Sequence, residues 1–108
     1  MVKHFYSFIV ETDTLFMEID SLEISDHEKE HLKSLAESNI HHAVLDSVLS
    51  KLSELDKDIF LEFINSKNHE RTWKFLNTKI RNAEDHIKNA AAEIKKELFK
   101  DIHEAKKS

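Results

Sequence analysis

The chain of 108 residues contains no cysteine, no glycine and no proline. Average usage, roughly 7% glycine and 5% proline, would have placed about a dozen of these two residues in a chain of this length. Without cysteine there is no disulfide, so one modest hydrophobic core must carry the stability. Because tight hairpins depend on glycine at positive φ, a sheet protein is hard to connect with this composition. Helices joined through Ser and Asn caps are compatible with it.

The absence of glycine also excludes several classes of enzyme. Phosphate-binding loops and dinucleotide-binding fingerprints both need glycine where the backbone approaches the ligand. No arrangement of nucleophile, base and orienting residue can be assembled from the remaining pattern. We therefore expect a protein without catalytic activity and without a cofactor.

Long hydrophobic runs are missing as well. The longest apolar stretches fall well short of the roughly 20 residues that a membrane span requires. Residues 1–10 carry one Lys and a short apolar stretch that His4 and Ser7 interrupt, with no small-residue cleavage site. The lack of cysteine fits a reducing compartment. We expect a soluble, cytoplasmic protein.

What the chain does contain is apolar residues at helical spacing, divided by polar caps. Ser25 with Glu28 and Ser53 with Asp56 match the capping box, in which a Ser is followed three residues later by an acid. Asn68 caps a later helix, and Asn82 with Asp85 caps the last one. This pattern predicts helices over residues 14–22, 26–52, 54–65, 69–78 and 83 to about 106.

These helices predict an all-α fold with a single domain over residues 1–108. It is a small bundle of four to five helices, in which the second and the last are long and the last is amphipathic. Residues 1–13 are expected to be irregular or extended, since the run from Phe5 to Val10 suits a strand as well as a helix.

Part of this pattern is shared with a known family. The shared runs, between Leu45 and Leu98, are Leu52-Ser53-Glu54, Asp56-Lys57, Phe60-Leu61, Phe75-Leu76, Lys79-Ile80-Arg81-Asn82, Glu84 and Glu97-Leu98. Together with Ser25-Asp26-His27-Glu28-Lys29, they resemble a family of short uncharacterised all-helical proteins from candidate-phylum bacteria, a domain of unknown function. The chain departs from that family at Arg81, where the family usually has proline. The resemblance implies a helical fold, and it implies no site residue because no activity is attached to the family.

One motif suggests a metal enzyme. The run His27-Glu28-Lys29-Glu30-His31 matches H-E-x-x-H, in which two His bind zinc and the Glu acts as a general base. Ser25, however, places this run in the first turn of a helix, and charged residues separate the two His. No downstream G-x-x-H follows, and a third ligand is available only by choosing among many acids, of which Glu54 and Glu62 are the least implausible. The sequence therefore favours an exposed acidic first turn, and a minimal zinc hydrolase with His27 and His31 as weak metal candidates is the least favoured alternative.

Two other groups have ordinary interpretations. His42 and Asp46 lie one helical turn apart beside His41, which we interpret as chance adjacency in a chain with eight histidines. Trp73 lies among basic residues and could stack on bases, as aromatic residues do in single-strand binders. We expect Trp73 to pack in the core instead, because aromatic side chains on a short helix close a small bundle.

Charge is unevenly distributed. Residues 1–66 carry five basic and fourteen acidic residues, net −9, whereas residues 67–108 carry eleven and seven, net +4. A basic face on the last helix, with candidates Lys88, Lys95, Lys96 and Lys100, suggests a nucleic-acid-associated accessory protein as an alternative function. Acidic residues one turn away can neutralise part of that charge.

The last helix also carries a long apolar face. Its candidate interface residues are Ile87, Ile94, Leu98, Phe99 and Ile102. This face is expected to extend beyond what the two short helices can cover, and each aliphatic side chain left exposed forfeits about 1.5–3 kcal/mol. The favoured hypothesis is therefore a helical protein-interaction or self-assembly module whose partner is a protein, above all a second copy in a homodimer.

Overall fold

The structure, a computed structural model, describes residues 4–107. Over that range it contains no strand and five helices, which are α1 (Asp13–Asp20), α2 (Asp26–Leu49), α3 (Glu54–Ser66), α4 (His69–Lys79) and α5 (Ala83–Lys107). The predicted all-α fold is confirmed. None of these helices has the length and the apolar composition to cross a bilayer.

The predicted caps set the starts of three helices. The Ser25 hydroxyl oxygen accepts the N–H of Glu28 at 3.1 Å, and Asn68 Oδ1 accepts the N–H of Arg71 at 3.1 Å. Ser53 accepts the N–H of Asp56 at 3.2 Å in the same way. Each cap satisfies a first-turn donor that has no partner within its helix.

The end of α2 differs from the prediction. The sequence predicts a helix to residue 52, whereas α2 ends at Leu49. The Lys51 N–H bonds to the Val48 carbonyl at 3.0 Å and the Leu52 N–H bonds to the Leu49 carbonyl at 3.2 Å. These bonds each span three residues and form a tighter turn after the helix. Leu52, the last residue of the predicted helix, is buried in this turn.

Two residues take the place of glycine at the turns. Lys67, after α3, has φ 60° and Asn82, before α5, has φ 57°. Both lie in the left-handed region, where glycine is usual and Asn is tolerated. The Asn82 carbonyl accepts the His86 N–H at 3.1 Å, which opens α5. The last helix therefore begins at residue 83 as predicted, after a residue whose backbone conformation is unusual for an N-cap.

The helices form an elongated body of 47 × 23 × 21 Å. The largest interhelical contact joins α2 and α5, while α1 packs against both and α3 pairs with α4. The prediction that the second and the last helix are the long ones is confirmed, since α2 has 24 residues and α5 has 25. All five helices contribute to the largest fully buried side chains, which are Leu15, Ile19, Ile40, Val44, Val48, Phe60, Thr72, Leu76 and Ile87.

The segment before α1, residues 4–12, is irregular, as one of the alternatives predicts. Residues 5–9 form turns, with the Ser7 N–H bonded to the His4 carbonyl at 3.0 Å and the Val10 N–H to the Tyr6 carbonyl at 3.1 Å. Phe5 and Tyr6 are both buried, although adjacent side chains of a strand point to opposite faces. Both rings reach the core because the chain turns here. The predictions for residues 1–3 lie outside the described residues.

Candidate functional site

The predicted interface on α5 is largely covered by the chain itself. Ile87 is 0% exposed and Ile102 is 9% exposed, and both belong to the core. Ile94, Leu98 and Phe99 are half-buried and pack against that core. The expectation that this face extends beyond what the chain covers is wrong for Ile87 and Ile102. The prediction considered cover of this face only by the two short helices, whereas α1 and α2 pack along α5.

The four lysines of the predicted basic face on α5 have two different kinds of surroundings. Lys95 Nζ donates to the Glu11 carbonyl oxygen at 2.8 Å, and Lys88 Nζ lies 3.3 Å from the Glu84 carboxylate. Lys96 and Lys100 are exposed. Two of the four lysines thus contact oxygens of the same chain, which lowers the charge available to a phosphate backbone.

The H-E-x-x-H residues lie in the first turns of α2, where His27, Glu28 and His31 are all exposed. Glu28 completes the cap, because its Oε1 accepts the Ser25 hydroxyl at 3.2 Å. His27 and His31 line an open groove of about 840 Å³ together with Glu23, Glu28 and Lys106, and the Lys106 ammonium is paired with the Glu18 carboxylate at 2.6 Å. Within residues 4–107, no group of three or more His, Asp or Glu side chains is placed to hold a metal ion.

A different group of titratable side chains comes together where the N-terminal segment crosses α2. The His4 ring stacks on Tyr6, with centroids 5.0 Å apart, and on His41 of α2, with centroids 4.3 Å apart. The Tyr6 hydroxyl lies 2.7 Å from His41 Nδ1. We call these three residues the histidine–tyrosine cluster.

Aromatic packing holds the segment in place. Trp73 Nε1 of α4 donates to the Phe5 carbonyl oxygen at 2.6 Å. The Phe5 ring meets Phe60 and Trp73 edge to face, at centroid distances of 5.7 and 5.5 Å. Phe5 thereby anchors the segment to α3 and α4, which sets its neighbours His4 and Tyr6 over α2. The prediction that Trp73 packs against the core is confirmed.

Burial changes the acid–base properties of the cluster. Burial lowers the pKa of His4, with Glu37 opposing the shift and His69 adding to it. Burial also lowers the pKa of His41, and the nearby His4 and His42 lower it further. Burial, followed by the charge of Glu37, raises the pKa of Tyr6. A protonated phenol therefore donates to His41 Nδ1 when that imidazole is neutral with its hydrogen on Nε2.

Solvent reaches the cluster through cavities that His4 lines. A cavity of about 270 Å³ is shared with Tyr6 and Glu37, and one of about 190 Å³ is shared with His41 and His69. A third, of about 370 Å³, lies between the segment and the start of α4. The imidazoles are thus desolvated on one side and accessible to protons on the other.

Sequence analysis did not predict this cluster. His41 was noted, yet it was paired with His42 as a chance neighbour, and no spacing rule links it to residues 35 or more positions away. The available signal was the burial-prone pair Phe5 and Tyr6 next to a histidine. That signal predicts that the segment is part of the core, but it does not predict which helix the segment contacts.

A second surface feature lies on α3. Leu55 is 71% exposed and Leu61 is 40% exposed, although both are large apolar side chains. Glu54, Asp58 and Glu62 follow one another at intervals of one helical turn and are exposed on the same side. We call these five residues the α3 outward face. The opposite side of α3 buries Phe60, which is 0% exposed.

Comparisons with known protein families, with curated proteins and with solved structures find no match to this chain. The resemblance to a family of helical proteins stays a prediction.

Proposed function

We propose that this protein is a helical protein-interaction module without catalytic activity, and that it binds its partner through the α3 outward face. The observation that carries the proposal is the exposure of Leu55 and Leu61, 71% and 40%, on a helix that also presents three carboxylates. Complete burial of a leucine side chain is worth about 1.5–3 kcal/mol, so covering both supplies a useful part of a binding energy.

The charge of this face selects the kind of partner. Lys57 is the one basic residue within α3, and its Nζ already contacts the Glu54 carboxylate at 2.9 Å. Asp58 and Glu62 therefore offer negative charge beside the two leucines. The complementary partner is an amphipathic helix of another protein that carries lysine or arginine next to leucine-like side chains. We place the interaction in the cytoplasm, as the cysteine-free composition suggests.

A second copy of the chain fits this face less well. A two-fold dimer through α3 brings like charges together, since both copies present the same acids. Lys96 and Lys100 of α5 are exposed, but the large apolar side chains beside them, Leu98 and Phe99, pack against the core and present only part of their surface to a second copy. The homodimer predicted from the sequence stays a prediction, and its contact cannot use Ile87 or Ile102 without opening the core.

Peptide binding tests the proposal. The probe is a fluorescently labelled amphipathic helical peptide of leucine and lysine, and its control is a scrambled peptide of the same composition. Anisotropy should show the amphipathic peptide binding about tenfold more tightly than the scrambled one, a difference of about 1.4 kcal/mol. The double variant Leu55→Ser, Leu61→Ser should remove that difference. Met17→Ser, which changes another exposed apolar residue, should not.

Equal binding of the two peptides would mean that charge alone attracts them and would refute the docking surface. Unchanged preference in the double variant would refute it as well. Light scattering completes the test, because a wild-type dimer that the double variant converts to monomers would assign the face to a second copy.

A further inference from the structure

We propose that residues 4–12 act as a pH-sensitive clamp, docked against α2 and α4 while His4 and His41 are neutral and released from them when both imidazoles are protonated. The proposal goes beyond the α3 outward face and is independent of it. It rests on the contacts of the histidine–tyrosine cluster and on how the segment is held.

The first step is the stacked pair. The rings of His4 and His41 lie 4.3 Å apart at an interplanar angle of 28°. Two neutral imidazoles stack favourably at this distance, whereas two imidazolium ions place like charges in contact within a partly desolvated site. His42 lies close behind, with its ring centroid 6.5 Å from that of His41. Acid therefore turns the contact between segment and helix from attractive to repulsive.

The second step is the hydrogen bond between the segment and α2. The Tyr6 hydroxyl and His41 Nδ1 are 2.7 Å apart. Protonation of His41 at Nδ1 removes the lone pair that accepts the phenol hydrogen, so this donor must find another acceptor. Tyr6 is only 4% exposed, and few water molecules reach it while the segment is docked. The same proton thus weakens both contacts.

The charges around the cluster have mixed signs. The N-terminal segment contributes Glu11 and α1 contributes Asp13, while α2 contributes Glu37, and all three line the cavity beside His4. Lys67 after α3 and His69 of α4 line the cavity beside His41, and Glu70 lines a third cavity with His4. The carboxylates favour protonation and the cations oppose it. Burial outweighs both, since it is the largest cause of the lowered pKa of each histidine.

The sign of the pH dependence follows. Because the pKa of each histidine is lower in the docked state than in the released state, the docked state binds fewer protons. The contribution to docking is complete above the ordinary histidine pKa of about 6.5. It is lost as the pH falls from there through the lowered pKa of the docked state.

The segment, rather than the whole fold, is the part expected to respond. Its backbone bonds are local turns, and it is attached to the helices by side-chain contacts and by the bonds that Trp73 Nε1 and Lys95 Nζ donate to the carbonyl oxygens of Phe5 and Glu11. The helices keep their own backbone bonds and the contact between α2 and α5. Regions with few such bonds open first when a contact is weakened.

Trp73 is the only tryptophan and reports on the clamp directly, because its Nε1 donates to the Phe5 carbonyl. Its emission is recorded from about pH 8 to about pH 5, the range in which histidine changes charge. The wild-type emission should shift to longer wavelength as the pH falls, while the far-ultraviolet circular dichroism keeps its helical signal. The variant His4→Phe, His41→Gln preserves a ring and a hydrogen-bond acceptor and should abolish the shift.

Two matched variants complete the experiment. His27→Gln, His31→Gln removes two exposed histidines and should leave the shift intact. His69→Gln tests whether a protonated imidazole near Trp73 merely perturbs the fluorophore. Wild-type emission that does not change with pH would overturn the proposal. A shift that persists without His4 and His41, or one that disappears with His69 alone, would also overturn it.

Discussion

Two pairs of histidines differ in their relation to the long helix α2, since His27 and His31 both lie within it whereas His4 of the N-terminal segment packs on His41 of the helix. His27 and His31 match a catalytic zinc motif, yet both are exposed in the first turns of the helix. His4 and His41 match no motif, yet their rings stack at 4.3 Å and burial lowers the pKa of both. The comparison shows that contact with a distant segment, which no spacing along a helix predicts, is what partly buries His4 and His41 and lowers their pKa values.

The two pairs differ because they lie at different parts of α2, one at its exposed start and the other at its covered middle. The start of α2 needs partners for its first-turn amides, and Ser25 with Glu28 supplies them in solvent. The middle of α2 needs apolar cover, and the segment carrying Phe5 and Tyr6 supplies it. A histidine at the start of α2 is therefore exposed to solvent, whereas a histidine in the middle of α2 is partly covered by the segment.

The largest expected effect is a difference in the free energy of unfolding between a substitution in the N-terminal segment and one in the exposed first turns of α2. Phe5→Ala removes a ring that is 3% exposed and contacts Phe60 and Trp73, so the free energy of unfolding should fall by about 3–5 kcal/mol. His31→Ala, at an exposed position, should change it by less than about 0.5 kcal/mol. Urea denaturation measures both. A loss below about 1 kcal/mol for Phe5→Ala would show that the segment is not part of the core.

A smaller effect tests the hydrogen bond within the cluster. Tyr6→Phe leaves His41 Nδ1 without its phenol partner and should lower the free energy of unfolding at pH 8 by about 1.5 kcal/mol. A double-mutant cycle with His41→Phe should assign most of that loss to the pair. Additive losses in the cycle would mean that the two side chains do not interact.

The caps should have effects of about 1 kcal/mol. Ser25→Ala and Ser53→Ala each remove the acceptor of a first-turn N–H and should lower the thermal midpoint accordingly. His27→Ala is the matched control beside the first cap. If Ser25→Ala left the midpoint unchanged while His27→Ala lowered it, the motif would have a role other than capping.

The smallest effect concerns metal. Protein purified without chelator should contain far less than one zinc per chain, and added zinc should not raise the thermal midpoint, because a ligand that does not bind the native state cannot stabilise it. Elemental analysis decides the first point and calorimetry the second. Stoichiometric zinc that disappears in His31→Ala would contradict the interpretation of this motif as an exposed first turn.

The sequence predicts those parts of the fold that local chemistry determines. Ser25, Ser53 and Asn68 start helices because a side-chain acceptor must meet the first-turn amides, and this need is visible within three residues. Which helices pair is decided by contacts between distant residues. The cover that α1 and α2 provide for Ile87 and Ile102 was therefore missed.

The α3 outward face and the histidine–tyrosine cluster were missed for the same reason. Leu55 belongs to the apolar pattern of α3, and only the packed structure shows that it faces solvent. His4 and His41 become a pair only after Phe5 inserts beside Phe60. Neither the exposure of Leu55 nor the pairing of His4 with His41 can be predicted from residue spacing within one helix.

The central claim is that packing of the N-terminal segment against α2 lowers the pKa of both His4 and His41, and a histidine titration followed by NMR tests it most directly. Each ring is assigned through a His→Gln variant, and its proton shifts are followed from about pH 8 to about pH 5. We predict that the pKa values of His4 and His41 both lie below the ordinary value of about 6.5. Tyr6→Phe with Phe5→Leu, which loosens the segment, should move both upward. Titration of His4 and His41 at or above the ordinary value in the wild type would contradict the account.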